Sequence, residues 1–277
     1  MPTAPRREIL KIPRRPMAKL RSKTSNLGLY VYGGAAIFLG LLGLASGDFA
    51  TTWQNVGPHV PLRVPLAYLT AVVELAGGIA LLLPRTARAG ALILTAVYSV
   101  FTLIWVPKAL VNLGNYDPIG NVFEEFCLVA AGLVLCAIFS PAGSSTARRR
   151  PFFVLLFGIC PISFGIAHII DMPGLLGWIP GWLPPTRMFW AYATTMGFFG
   201  AAVAILTGIM APLAARLLTA EIVIFELLVW IPNLSAAPGN HFNWAGNAIC
   251  IALAGASWVV SDSISAAART KPASLAG

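Results

Sequence analysis

The sequence has little charge: only 10% of its 277 residues are Asp, Glu, Lys or Arg, and ten of them are acidic. Soluble domains carry about 25% charged residues, because their surface faces water. This chain is instead 57% hydrophobic, with a mean hydropathy of +0.78. The composition therefore argues against a soluble globular domain and indicates a protein embedded in a lipid bilayer.

Motifs that hold metals, nucleotides or redox centres are also missing. The cysteines at 127, 136, 160 and 250 form no Cys-x-x-Cys pair and no haem-attachment site, so we interpret them as small buried hydrophobic residues. The three histidines have no helical spacing, which predicts no metal site. No Walker, Rossmann, nucleophile-elbow or zincin motif occurs. The sequence thus shows no electron carrier and no recognisable catalytic centre.

Long apolar runs dominate the chain. Each is close to the roughly 20 residues needed to cross a hydrocarbon core of about 30 Å. They predict eight transmembrane helices, at residues 29–47, 64–83, 88–106, 120–139, 152–170, 188–209, 213–231 and 243–261. The connections between them are too short to hold a soluble catalytic domain.

The eight runs read as two copies of four. Residues 104–107 are Ile-Trp-Val-Pro and residues 229–232 are Val-Trp-Ile-Pro, and Cys127 and Cys250 follow each motif at similar distances. An even number of spans gives both copies the same orientation, as in parallel transporter repeats. We therefore predict an all-α fold of two tandem four-helix bundles. The predicted domains are a basic tail at 1–28, a first bundle at 29–140, a linker at 141–151, a second bundle at 152–262 and a tail at 263–277.

All but three of the 19 Lys and Arg residues fall on one side of this predicted topology; the exceptions are Arg63, Lys108 and Arg187. The positive-inside rule then places both termini in the cytoplasm of a cell (inner) membrane. The net charge of +9 favours contact with anionic membrane lipid. Nucleic-acid binding is the rival interpretation of the basic tail, but no nucleic-acid-binding fold accompanies it.

Few ionisable residues lie inside the predicted spans, and such residues are functional candidates because burying them in lipid is costly. The alternative is that they hold helices together, in which case their replacement by Gln would destabilise the protein. Glu124 and Glu125 lie near a membrane interface, where we expect them to be solvated. The candidates for ligand or proton handling are Glu74, His168, Glu221, Glu226 and Trp230, the last being four residues from Glu226 on a shared helix face.

Some of these residues belong to motifs that resemble a known family. Glu74-x-x-Gly77-Gly78-x-x-Leu81-Leu82, the Phe-Gly-Ile-Ala-His run ending at His168, and the Ile-Pro-x-Trp-Leu-Pro run at 179–184 are similar to DoxX-type membrane proteins. Those proteins are typically single four-helix units, so the duplicated form departs from the common length. Glu74 and His168 match the family's polar positions, although Phe198 stands opposite Glu74 in the second copy and Ser46 opposite His168 in the first.

The resemblance implies a membrane subunit of a quinone-linked redox system, with a quinone or another lipophilic ligand in the bundle and redox centres supplied by partner subunits. The expected site lies in the exoplasmic half, bounded by spans two, five and seven. The alternatives are a proton-coupled carrier for a small molecule or ion, which uses Glu74 and Glu221, and a non-catalytic scaffold. Whether the protein is an enzyme stays open at this point.

Overall fold

A computed structural model describes residues 26–270. Of these residues 80% are helical and none lies in a strand, which confirms the all-helical prediction. Most of the predicted tail at 1–28, and residues 271–277 of the tail at 263–277, lie outside the described range. The helices are α1 (Leu27–Ser46), α2 (Arg63–Leu82), α3 (Ala87–Val111), α4 (Asp117–Ile138), α5 (Ser145–Arg148), α6 (Arg150–Gly158), α7 (Cys160–Ile170), α8 (Met172–Trp178), α9 (Arg187–Thr207), α10 (Ala211–Phe225), α11 (Ile231–Ala236) and α12 (His241–Thr270).

Within residues 26–270, seven helical segments are long and apolar enough to cross a membrane. They are α1, α2, α3, α4, the α6–α7 pair, α9 and α12, and each coincides with a predicted span. Their outer faces expose large apolar side chains such as Leu103 and Met196, as contact with lipid requires. The protein is therefore a multi-pass helical membrane protein. Its last helix continues to Thr270, into the segment that the sequence indicated as a tail.

The predicted span at 213–231 is helical but not uniform. A π turn, Glu226–Trp230, separates α10 from α11, and the N–H of Ile231 bonds to the carbonyl of Glu226, five residues back. Such single π turns in α-helices are frequent at functional sites. Pro232 follows this turn, but the matching Pro107 lies inside the regular helix α3, so proline alone does not produce it. The two similar sequence motifs thus have different backbone conformations.

Small residues set the closest helix contacts. Gly33, Gly40 and Gly43 lie on one stripe of α1 and face α2, where a methyl group on Gly40 would come within 2.6 Å of the carbonyl oxygen of Ala71. In lipid, close backbone approach of this kind supplies much of the association between helices. Glycines at 33, 40 and 43 are seven and three residues apart and so share one helix face, from which the sequence alone predicts this packing seam.

The first and last long helices also cross at glycines. A methyl group on Gly28 would come within 2.5 Å of the backbone nitrogen of Val259, and one on Gly255 within 2.5 Å of the backbone nitrogen of Tyr32. The largest buried apolar cluster runs without a break from Tyr32 to Val260 and draws on helices from both predicted bundles. The two predicted bundles therefore share one core.

The connection between α1 and α2, residues 47–62, folds back onto the bundle. Arg63 forms an ion pair with Asp48, and the Lys108 ammonium donates to the carbonyl oxygen of Asn55 at 3.0 Å. From the other half, Nε2 of His241 lies 3.0 Å from the carbonyl oxygen of Phe49. Arg63 and Lys108, two of the three basic residues on the less basic side of the predicted topology, thus hold this loop in place. Its buried residues Trp53 and Gln54 reach the polar sites described next.

Candidate ligand-binding cavity

A cavity of about 490 Å³ lies among α4, α7, α9, α10 and α12. This volume is within the range of small-molecule sites, which are mostly apolar with a few placed polar groups. Three of the predicted candidates line it, namely His168, Glu221 and Trp230. Its aromatic walls are Trp53, Phe164, Trp190, Phe198, Phe225 and Trp230.

Trp230 is the centre of the aromatic wall. Its ring lies 5.7 Å from that of Trp53, 5.3 Å from that of Trp178 and 5.7 Å from that of Phe242, measured between centroids. The opposite surface of the indole packs on Gly246, where any Cβ would collide with the ring. Glycine at 246 is therefore a requirement for the position of Trp230.

His168 is held by two threonines of α9. Its Nδ1 lies 3.3 Å from the hydroxyl of Thr195 and 3.5 Å from that of Thr194. Those hydroxyls donate their single proton to backbone carbonyls, Thr195 to Ala191 at 2.7 Å and Thr194 to Trp190 at 2.9 Å. With their protons used in this way, both hydroxyls are placed to accept from an Nδ1–H group, and in the neutral imidazole this tautomer leaves Nε2 as an acceptor. A ligand that meets Nε2 must donate to it.

Two carboxyl groups line the same cavity. Oε2 of Glu124 accepts from the indole N–H of Trp53 at 2.6 Å. Oε1 of Glu221 is buried without a hydrogen-bond partner among residues 26–270. Glycine at 197 makes room for Glu221, because a methyl group there would meet its carboxyl group. The sequence did not single out Trp53 or Glu124 as site residues, and no local motif marks either one.

Glu226 is separate from the cavity lining, although Trp230 in the same turn belongs to it. The side chain is 7% exposed, and neither carboxyl oxygen has a partner within the described part of the chain. Cys250, which does line the cavity, lies close to Glu226, but its thiol donates to the carbonyl of Ile222 at 3.7 Å. Glu226 is thus a buried acid whose carboxyl oxygens accept no hydrogen bond from residues 26–270.

Glu74 lies in a second polar cluster, in the first half of the chain. It is 1% exposed and accepts from Nε2 of Gln54 at 2.6 Å. Glu125 and Tyr98 are near it, each 1% exposed, and Oε2 of Glu125 and the hydroxyl of Tyr98 have no partner in the described range. The expectation that Glu125 is solvated was wrong, because the Trp53–Gln54 segment folds over the start of α4. The structure does not bring Glu74 to His168.

The site was expected between spans two, five and seven. Spans five and seven, which are α7 and α10 with its π turn, do line the cavity, whereas span two, which is α2, does not. No group of three or more His, Cys, Asp or Glu side chains within residues 26–270 could hold a metal ion. Comparisons with protein-family models, curated proteins and solved structures find no match to this chain. The function must therefore be inferred from the cavity and the residues that line it.

Proposed function

We propose that the protein crosses the membrane eight times, with both termini in the cytoplasm, as a tandem DoxX-like repeat. The support for the eighth span is the helical stretch from α10 through the π turn to α11, whose segments have 15, 5 and 6 residues. At about 1.5 Å per residue this stretch is about 39 Å long, which exceeds the roughly 30 Å of a hydrocarbon core. The asymmetry of Lys and Arg supports the orientation.

We further propose that the protein binds a lipophilic small molecule in the cavity beside His168 and Glu221. The observation that carries this proposal is the combination of a 490 Å³ apolar space with an open acceptor on His168 and an unpartnered oxygen on Glu221. The resemblance to DoxX-type proteins makes a quinone the first candidate. Under that reading the protein is the membrane subunit of a redox system, and a partner subunit supplies the electron carriers.

Quenching of tryptophan fluorescence tests ligand binding directly, because Trp53, Trp190 and Trp230 line the cavity. Titration of the purified protein in detergent with a short-chain quinone should give saturable quenching. Ala193→Leu adds bulk to the cavity wall and should weaken binding at least about tenfold, which corresponds to 1.4 kcal/mol. Val203→Leu, on the exposed face of the same helix, is the matched control and should leave the titration unchanged.

Equal quenching of wild type and Ala193→Leu would contradict ligand binding in this cavity. Saturable binding of other lipophilic molecules without any response to quinone would retain the cavity as a site and reject the quinone.

A proton-coupled carrier is the second candidate, favoured by one observation: Glu221 and Glu226 are both unpartnered and lie on one helix, which is interrupted by a π turn. Acids inside a membrane mark proton and substrate pathways, and π turns occur often at functional sites. Uptake into proteoliposomes driven by an imposed pH gradient would support the carrier, provided that Glu221→Gln abolishes the uptake. Uptake that is equal in empty liposomes would reject it.

A further inference from the structure

The carboxyl groups of the cavity have no basic partner. Glu124 and Glu221 line it, and neither Lys nor Arg does so among residues 26–270. Carboxylates removed from water are stable only when a counter-charge or several hydrogen bonds compensate them. Glu124 has the single bond from Trp53, and Oε1 of Glu221 has none. The described protein therefore offers no counter-charge to a carboxylate that ionises in this cavity, and a bound cation would supply one.

The remaining polar groups are mostly acceptors or spent donors; the exception is Trp230, whose indole N–H is a donor. Nε2 of His168 accepts in the tautomer whose Nδ1–H group donates to Thr194 and Thr195. The indole N–H groups of Trp53 and Trp190 are already used, on Glu124 and on the carbonyl of Pro184. A head group that only accepts hydrogen bonds, as a quinone carbonyl does, thus meets few free donors here. A head group that donates meets several acceptors.

The apolar walls also suit a positive charge. Six aromatic side chains face the cavity, three of them tryptophans. Aromatic faces attract ammonium groups through the ring quadrupole, most strongly for tryptophan and most strongly away from water. Acids, acceptors and aromatic faces therefore favour the same kind of ligand.

We propose that this cavity selects a lipophilic organic cation, a protonated amine on an aromatic or alkyl body. This inference rests on the proposed ligand-binding function and deepens it by naming the head-group chemistry that the cavity prefers; a quinone is then a neutral ligand of the same cavity that binds less tightly. In the bound state the ammonium group lies at Glu221 on the side of the cavity that His168 lines, and the body fills the apolar part of the cavity among the aromatic side chains.

Three probes of one shape and different charge test the selection. The probes are 4-phenylbutylammonium, the neutral pentylbenzene and the anionic 5-phenylpentanoate, each titrated calorimetrically into the purified full chain in detergent, with protein-free micelles as the blank. We expect the amine to bind about tenfold more tightly than pentylbenzene, and the anion to bind most weakly. Equal binding of the amine and pentylbenzene would overturn cation selection and leave the ligand-binding function standing. Binding of none of the three would overturn both.

A charge-removing variant locates the effect. Glu221→Gln should lower the affinity for the amine about tenfold and leave that for pentylbenzene unchanged. Glu74→Gln is the matched control, since Glu74 is a buried acid outside the cavity, and it should leave all three affinities unchanged. If Glu221→Gln weakens all three probes equally, the residue shapes the cavity without selecting charge, and the proposal fails.

Discussion

Glu226 and Glu74 are both buried acids, yet their replacement by leucine should change stability in opposite directions. Neither oxygen of Glu226 has a hydrogen-bond partner in the described chain, and its side chain is 7% exposed. A buried polar group without a partner costs about 1–3 kcal/mol, and an acid at the centre of a membrane helix costs about 2.5–3.5 kcal/mol on insertion scales. Glu226→Leu removes this cost and should stabilise the protein by about 1–3 kcal/mol.

Glu74 differs because it has a partner. The amide of Gln54 donates to its Oε1 at 2.6 Å inside a cluster shielded from solvent. Glu74→Leu leaves that amide without an acceptor, so the free energy of unfolding should fall by about 1–3 kcal/mol. Glu74→Gln retains an acceptor oxygen and should cost less than Glu74→Leu.

Thermal unfolding in one detergent at one scan rate measures the contrast, as apparent midpoints, because membrane proteins often unfold irreversibly. For a chain of this size 1 kcal/mol corresponds to about 2 °C. We expect the midpoint of Glu226→Leu to rise by about 2–6 °C and that of Glu74→Leu to fall by a similar amount. A lower midpoint for Glu226→Leu would show that Glu226 is bonded in the folded protein, and the reasoning from its unpartnered oxygens would be refuted.

Three further predictions follow from the topology and the glycine contacts. Cysteines introduced at Ser144 and Gly239 should be labelled from opposite sides of the membrane by an impermeant reagent; labelling from one common side would contradict the eight-span topology. Gly28→Leu places a side chain against the backbone of α12 and should lower the unfolding midpoint, by an overpacking cost of about 1–3 kcal/mol. Gly246→Ala displaces Trp230 and should weaken the binding of a quinone or an amine. Gly200→Ala is the control, since no atom lies within 4 Å of the added methyl group, and it should leave binding unchanged. Equal binding by both variants would show that Trp230 does not contact the ligand.

Hydropathy predicted the positions of the spans well, because the thickness of the bilayer sets their length and the absence of water sets their composition. The contact of α1 with α2 through Gly33, Gly40 and Gly43 was also predictable, since a stripe of small residues has few uses in a membrane helix other than close packing. Both features depend on short stretches of sequence. They needed no knowledge of how distant segments meet.

The candidate site was predictable only in part, because its remaining members come from distant segments. His168, Glu221 and Trp230 were predicted as candidates for ligand or proton handling, and all three line one cavity. Glu124 was expected in solvent, yet it bonds to Trp53, 71 residues earlier in the chain. No rule of spacing connects a loop tryptophan with a glutamate of α4. The fold of the 47–62 connection decides that contact.

This connection also explains why the two halves do not act as independent bundles. The neighbouring residues Trp53 and Gln54 donate to acids in different sites, Trp53 to Glu124 at the cavity and Gln54 to Glu74 in the buried cluster. The cavity is built mainly from the second half, yet Trp53 and Glu124 come from the first. A movement of the loop that carries Trp53 would therefore alter both polar sites together.

The tryptophans of the two similar sequence motifs, Trp105 and Trp230, make different contacts. Trp105 donates its indole N–H to the carbonyl of Trp53 at 3.2 Å and so fixes the loop. Trp230 is the last residue of the π turn, lines the cavity, and packs against Trp53 of the 47–62 connection and Trp178 of α8. The similar sequences around Trp105 and Trp230 thus have different roles, since one supports the loop and the other forms part of the cavity wall. Because Trp105 bonds to the segment whose Trp53 packs on Trp230, the wall of the cavity depends on contacts from both halves of the chain.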